Sequence, residues 1–230
     1  MARIILVHGA CHGAWCWRDV IPALKAAGHE VTAPDMPGRG GGVAGLTLAD
    51  QADTILSAYE GRAVLVGHSA GGFSISAAAE AAPERVSRLI FVTALLPRDG
   101  EVLGRKMQGL KGTRAPVPLV VAPDRLSYSF DLGSAGEALY NGVSPEGIDW
   151  ALTQVCNEPS GPHREPIRVG AGFASVPKSY VICTEDRMIP AVDQEAMAAG
   201  LSDVVRIATG HSPFLSTPAE LAAHLSRMAS

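Results

Sequence analysis

Several short runs of this chain are apolar at every position rather than at every second one. Ile4–Val7 and Ala63–Val66 read as strands of this kind, and Arg88–Ala94 as another with its apolar stretch at Leu89–Val92. A strand without a polar side must be buried on both faces, which points to a parallel sheet held between two layers of helices. The stretches between these runs have helical spacing. Trp15–Ala27 reads as a helix stopping at Gly28, and Thr47–Tyr59 carries apolar residues at Leu48, Ala52, Ile55, Leu56 and Tyr59 with Thr47 as its N-cap. Glu30–Ala33 is a short strand and Ala70–Ala82 a third helix. Alternating strands and helices of this type predict an α/β fold.

Beyond Leu96 the rhythm fails. Residues 97–172 hold many Pro and Gly and scattered large apolar groups, and long irregular segments inside compact domains are more often functional than structural. The alternation then resumes with strand Lys178–Thr184, helix Pro190–Ala199, strand Asp203–Ile207 and helix Pro218–Met228. The expectation is one core domain made of 1–96 and 173–230. It has a roughly six-stranded, mainly parallel sheet with helices on both faces, and residues 97–172 form a helical cap. A chain of 230 residues is long enough for one such core.

Composition narrows the partners. The charge of −4 gives no basic footprint for nucleic acid and no polybasic membrane segment. Leu89–Leu96, the longest apolar run, is far too short to cross a bilayer, and the apolar stretch within MARIILVHGA is too short for a signal peptide. A cytoplasmic protein is expected, with no nucleic acid and no membrane among its partners and a homodimer left open. The cysteines, Cys11, Cys16, Cys156 and Cys183, form no C-x-x-C pair and are too sparse for a disulfide scaffold. Cys11 lies beside His8 and His12, but the acid of an H-E-x-x-H zinc helix is absent and Gly9 and Gly13 oppose a helix, so no metal is expected. Gly40, Gly42 and Gly45 satisfy G-x-G-x-x-G after a strand. The next strand ends in Gly67-His68-Ser69 instead of the acid that a dinucleotide ribose requires, so these glycines read as a loop.

That strand end carries the chemistry. Gly67-His68-Ser69-Ala70-Gly71 is a G-x-S-x-G pattern between a strand and a helix. In a nucleophile elbow, small residues two positions either side let strand and helix cross closely, and the serine projects above the sheet edge toward the helix N-terminus. A serine needs a base, and the base an orienting acid, in the chain order Ser, Asp or Glu, His. His211 follows the last strand, and the strand before it ends in Glu185 and Asp186; Asp186 is favoured, with Glu185 as the alternative. His68 adjoins the serine, so its ring should turn away from the serine oxygen. The oxyanion of a tetrahedral intermediate would be met by the Ala70 amide and by one from the loop after the first strand, Ala10. His8 and His12 read as residues that shape this loop.

At this point VHGACHGAWCW, GHSAGG, SYVICTEDRMIP and GHSPFLSTPAEL together resemble the plant methylesterase and hydroxynitrile lyase family of α/β-hydrolases. The likeness spans Ile4–Pro97 and Val176–Leu225. It implies the α/β-hydrolase fold, a catalytic Ser69, Asp186 and His211, oxyanion amides on Ala10 and Ala70, and neither a metal nor an organic cofactor. It also selects Asp186 over Glu185. The lyases carry a threonine where this chain has Gly9 and a lysine where it has Ser212, so both positions look like the esterase branch. Plant members have a longer cap, and their substrate contacts do not carry over.

The expectation is a serine carboxylesterase acting through an acyl-enzyme on Ser69 upon a small or medium carboxylic ester with an apolar part. Phe73, Leu103, Met107, Phe130, Trp150 and Phe214 are candidates to line its pocket. The alternatives are a hydroxynitrile lyase and, from another class, a ligand receptor on a hydrolase scaffold.

Overall fold

A computed structural model describes residues 1–39 and 41–230; Gly40, the first glycine of the G-x-G-x-x-G pattern, lies outside the described residues. The chain runs β1 (Arg3–Val7), α1 (Ile21–Ala26), β2 (Glu30–Thr32), α2 (Leu48–Ser57), β3 (Ala63–His68), α3 (Gly71–Ala81) and β4 (Val86–Val92). Residues 97–172 then hold α4 (Leu103–Gln108), β5 (Leu119–Val121), β6 (Ser127–Phe130), α5 (Leu132–Leu139), α6 (Pro145–Gln154), β7 (Glu158–Pro159) and α7 (Gly161–Arg164). The rest comprises α8 (Ala171–Ser175), β8 (Lys178–Cys183), α9 (Ala191–Ala198), β9 (Asp203–Ile207), α10 (Pro213–Ser216) and α11 (Pro218–Ala229).

Six strands form one parallel sheet in the order β2-β1-β3-β4-β8-β9. Alternate residues of the apolar runs feed two separate cores. Ile5, Val7, Leu65, Leu89, Phe91, Tyr180 and Ile182 face the layer of α2, α3 and α9, while Ile4, Leu6, Val64, Val66, Ile90, Val92 and Val181 face that of α1 and α11. Burial on both sides is the reason these strands are apolar throughout. The predicted cap of α2 is present: Thr47 Oγ1 accepts from Asp50 N, and Asp50 Oδ2 accepts from Thr47 N at 2.8 Å. No helix among the described residues is long and apolar enough to cross a membrane.

Two expectations change. The helix read over Trp15–Ala27 is a single 3-10 turn at Ala14–Trp17 followed by the short α1. Pro22 has no N–H to donate to the turn before it, so α1 starts afresh with proline in its first turn. The segment 97–172 is also not purely helical: β5, β6 and β7 make a three-stranded antiparallel sheet. Its tight turn, with Asp124 Oδ1 accepting from Leu126 N at 2.9 Å, had a signal in APDR. Strands of three, four and two residues, however, are too short to show a period.

Strand order reverses between β1 and β3, so the loops after these two strands diverge at the carboxyl edge and leave a crevice. The first turn of α3 crosses the end of β1 at close range. A Cβ on Gly71 would stand 2.7 Å from the His8 carbonyl oxygen and 3.0 Å from that of Val7. Backbone atoms of a central strand cannot yield as a flexible side chain can. We therefore expect Gly71→Ala to destabilise the protein by about 1–3 kcal/mol, the usual range for overpacking, and to lower the thermal midpoint by several degrees in a calorimetric scan. An unchanged midpoint would show that the crossing is looser than the structure indicates.

Candidate active site

Ser69 ends β3 with φ +52°, the left-handed region that L residues rarely enter. The turn is held from beneath: Ser69 N donates to Val92 O at 3.4 Å, and Ser69 O accepts from Leu95 N at 3.0 Å and Gly72 N at 3.2 Å. With the backbone so pinned, the hydroxyl stands off the sheet edge and opens into a cavity of about 740 Å³. Its Oγ lies 3.1 Å from His211 Nε2.

His211 reaches this point from the loop after β9. Its Nδ1–H donates to Asp186 Oδ2 at 2.7 Å, which leaves Nε2 to accept the Ser69 hydroxyl proton. Asp186, in the loop after β8, is buried, whereas Glu185 is exposed. The Asp186 carboxylate is held from several directions. Oδ1 accepts from Met188 N at 2.6 Å and Ile189 N at 2.8 Å, while Oδ2 also accepts from the Thr93 hydroxyl and from Gln194 Nε2 at 3.4 Å. The sequence reading missed Thr93 and Gln194. Gln194 also spans Cys183 and Ile189, bonding the backbone on each side of the Asp186 loop. Thr93 follows β4 and Gln194 lies on α9, and no local pattern announces that either turns to Asp186.

The loop after β1 supplies the other side. The amides of Ala10 and Ala70 make no hydrogen bond to an acceptor among the described residues, and both residues line the Ser69 cavity. His8 and His12 shape this loop, as their neighbours in sequence suggested. His8 Nδ1–H donates to Gly9 O at 2.9 Å while its Nε2 accepts from Met36 N at 3.0 Å. His12 Nδ1–H donates to Ala10 O at 2.8 Å, and its Nε2 accepts from the Tyr140 hydroxyl at 3.0 Å. His68 turns from the serine and donates from Nε2 to the His211 carbonyl at 2.8 Å, bracing the backbone of the residue whose ring faces Ser69. Cys11 is fully buried, and burial pushes its thiol well above the ordinary range.

Of the six candidate pocket residues, Leu103, Met107 and Phe130 line the cavity. The other three do not. Phe73 is fully buried in the core between the sheet and α2–α3. Phe214 fills the opposite core, its ring 4.9 Å from that of His68 and 5.4 Å from that of Trp17. Trp150 packs edge-on to Trp15 at 5.2 Å, with the Arg18 guanidinium 3.6 Å over its ring. Helical spacing assigns such residues to an apolar face but not to one side of a layer, which is where all three readings went wrong. Tyr128 and His163, which the sequence did not single out for the pocket, also line the cavity.

A family model described as the alpha/beta hydrolase family matches residues 4–224. The chain belongs to the α/β-hydrolases. This α/β-hydrolase is 33% identical to the esterase PIR7B of Oryza sativa subsp. japonica over 95% of its own length and 92% of the relative's. Methyl jasmonate esterase 1 of Vitis vinifera is 31% identical over 97% of this chain and 95% of that one. Among solved structures, a pyrethroid hydrolase from Sphingobium faniae superimposes with a TM-score of 0.84 at 27% identity, covering 99% of this chain and 97% of the other. These likenesses place the α/β-hydrolase among esterase-type enzymes.

Burial gives the site an unusual acid–base balance. Desolvation pushes down the pKa of His8, of His12 to about 3, of His68 well below its ordinary value and of His163 to about 4. Each is therefore neutral when folded, whereas the unfolded chain protonates them near pH 6.5. Their stabilising contribution is complete above that pH and is lost progressively as pH falls from there to the folded values, since the unfolded state binds more protons across that window. Glu158, pushed up to about 7 by burial, acts in the opposite sense over roughly the same window, but it is one group against four. Urea midpoints should accordingly fall from pH 7.5 to pH 5.0, with a linkage of more than one proton taken up on unfolding. A midpoint that held or rose would mean that the histidines are not buried neutral.

Proposed function

We propose that this α/β-hydrolase is a serine carboxylesterase that cleaves small to medium carboxylic esters through an acyl-enzyme on Ser69. The observation that carries the reading is the unbroken chain Ser69 Oγ, His211 Nε2, His211 Nδ1 and Asp186 Oδ2, with separations of 3.1 and 2.7 Å, whose serine end lines the cavity. His211 takes the Ser69 proton as the hydroxyl attacks the ester carbonyl, and Asp186 holds the tautomer that leaves Nε2 free for it. The free amides of Ala10 and Ala70 meet the oxyanion that forms. His211 then protonates the departing alcohol and deprotonates the water that releases the acid. A cavity of about 740 Å³ with apolar walls from Leu103, Met107 and Phe130 suits an ester with an apolar acyl or alcohol part, and segment 97–172 serves as the cap over it.

The competing lyase chemistry meets a steric obstacle. A Cβ on Gly9 would stand 2.8 Å from Ser69 Cβ and 2.9 Å from His68 Nδ1, so a threonine there would need the elbow to move. Ser212, next to His211, brings no positive charge for a departing cyanide.

Turnover of p-nitrophenyl acetate and butyrate by wild type, Ser69→Ala and Asp186→Asn, with racemic mandelonitrile alongside, tests the proposal. We expect multiple-turnover ester cleavage, kcat lower by roughly 10³-fold or more in each variant, and no cyanide. Wild type stalling after one turnover would point instead to a receptor, and Ser69-dependent cyanide release to a lyase.

A further inference from the structure

Glu158 is a buried carboxyl that the proposed reaction leaves unused. It stands on β7, yet its side chain crosses to the loop after β1, where Oε2 accepts from Cys11 N at 2.8 Å. Burial without a paired lysine or arginine pushes its carboxyl up to about 7. Its one basic neighbour among the described residues is His163, whose Nε2 lies 3.5 Å from Oε1 and which is itself held neutral. Taking a carboxyl out of water without a cation is unfavourable. An apolar side chain at 158 would fill the space without that cost but would leave the Cys11 N–H unpartnered.

That N–H belongs to the peptide linking Ala10 to Cys11, and the same peptide is held at its other end, where Ala10 O accepts from His12 Nδ1–H at 2.8 Å. Cys11 itself has φ +62°. Its carbonyl accepts from Cys156 N at 3.0 Å, two residues before Glu158. Tying both ends of the Ala10–Cys11 peptide fixes the Cα–C side of Ala10. The Ala10 N–H lies on the preceding peptide, whose Gly9 O accepts from His8 Nδ1–H at 2.9 Å and from His12 N at 3.3 Å, so Ala10 is set between two anchored peptides. Glu158 also touches the cavity wall through His163, whose Nδ1 lies 2.7 Å from the Tyr128 hydroxyl. Both of those residues line the space that Ser69 enters.

We propose that Glu158 is a positioning residue: reaching from segment 97–172, it fixes the Ala10–Cys11 peptide and so aims the Ala10 amide at the oxyanion. The inference rests on the esterase reading above. It makes segment 97–172 part of the machinery for transition-state stabilisation as well as a wall for the substrate. To the loop's own bonds, from His8 and His12 to Gly9 O and from His12 to Ala10 O, Glu158 adds a hold on Cys11 from a distant part of the chain.

The experiment compares Glu158→Gln and Glu158→Leu, close in size to the native residue, with wild type and Ser69→Ala on p-nitrophenyl butyrate, separating kcat from KM. The amide oxygen of the glutamine accepts the same N–H, so Glu158→Gln should keep kcat within about threefold. Glu158→Leu should lower kcat by about 10²-fold, near the loss seen when an oxyanion donor is removed, with KM within about twofold and a native circular dichroism spectrum. If the leucine variant does not fold, Glu158→Met, likewise close in size and without an oxygen acceptor, carries the same readout. A folded variant without an acceptor at 158 that retains wild-type kcat, or that changes KM alone, overturns the proposal, as does a glutamine variant that falls as far as leucine. Loss of kcat in Ser69→Ala alongside an unaffected Glu158→Leu would refute the positioning role and leave the esterase intact. Unchanged turnover in Ser69→Ala would remove both.

Discussion

Everything at the catalytic edge depends on how closely β3, β1 and α3 approach one another. Gly67 and Gly71 stand where side chains have no room: a Cβ on Gly67 would lie 2.7 Å from the Gly71 carbonyl oxygen, and one on Gly71 as close to that of His8. This contact forces the chain to turn sharply between strand and helix, and Ser69 takes the left-handed backbone as a result. A non-glycine residue in such a region carries strain of order 1–3 kcal/mol, which the surrounding hydrogen bonds must offset. The reward is geometric. The hydroxyl stands clear of the sheet while the amide of Ala70 lies beside it, and the same crossing brings the loop of Ala10 alongside.

Around this elbow the protein arranges neutral polar groups in place of ion pairs. His8, His12 and His68 are all buried, and desolvation keeps each uncharged. Their ring nitrogens serve as fixed donors and acceptors that set loop geometry. Asp186 is oriented by two backbone amides, a threonine and a glutamine as well as by His211. Polar groups fixed in a water-poor site keep local fields strong, because little solvent is present to screen them. The segment between β4 and β8 joins this network at Tyr140 and Glu158, which bond His12 and Cys11 and so tie it to the loop after β1.

Much of this arrangement is legible in the amino-acid sequence. Apolar runs on Ile4–Val7 and Ala63–Val66 require burial on both faces, Thr47 marks the start of α2, and two glycines spaced around a serine announce the elbow. Between strands, positions after β8 and β9 point to Asp186 and His211 because strand ends in a parallel sheet share one edge. Legibility ends where distance along the chain grows. Thr93 and Glu158 act on residues 93 and 147 positions away, while Gln194, 8 positions from Asp186, lies on a separate element, α9. Phe73 and Phe214 carry the right chemistry for a pocket but belong to the two cores. The small antiparallel sheet of β5, β6 and β7 is hidden by strands too short for periodicity.

In the sequence itself, local pattern settled the parallel α/β layers and the elbow, since periodicity and steric need are written in neighbouring residues. It also pointed to Ser69, His211 and the acid pair Glu185 and Asp186, of which the family resemblance selected Asp186. Tertiary structure alone decided which apolar side chains face the cavity, which polar groups hold Asp186, and that Glu158 grips the loop of Ala10. Those outcomes depend on which surfaces meet once the layers pack. Neither hydrophobicity nor spacing along one element specifies the partner on another.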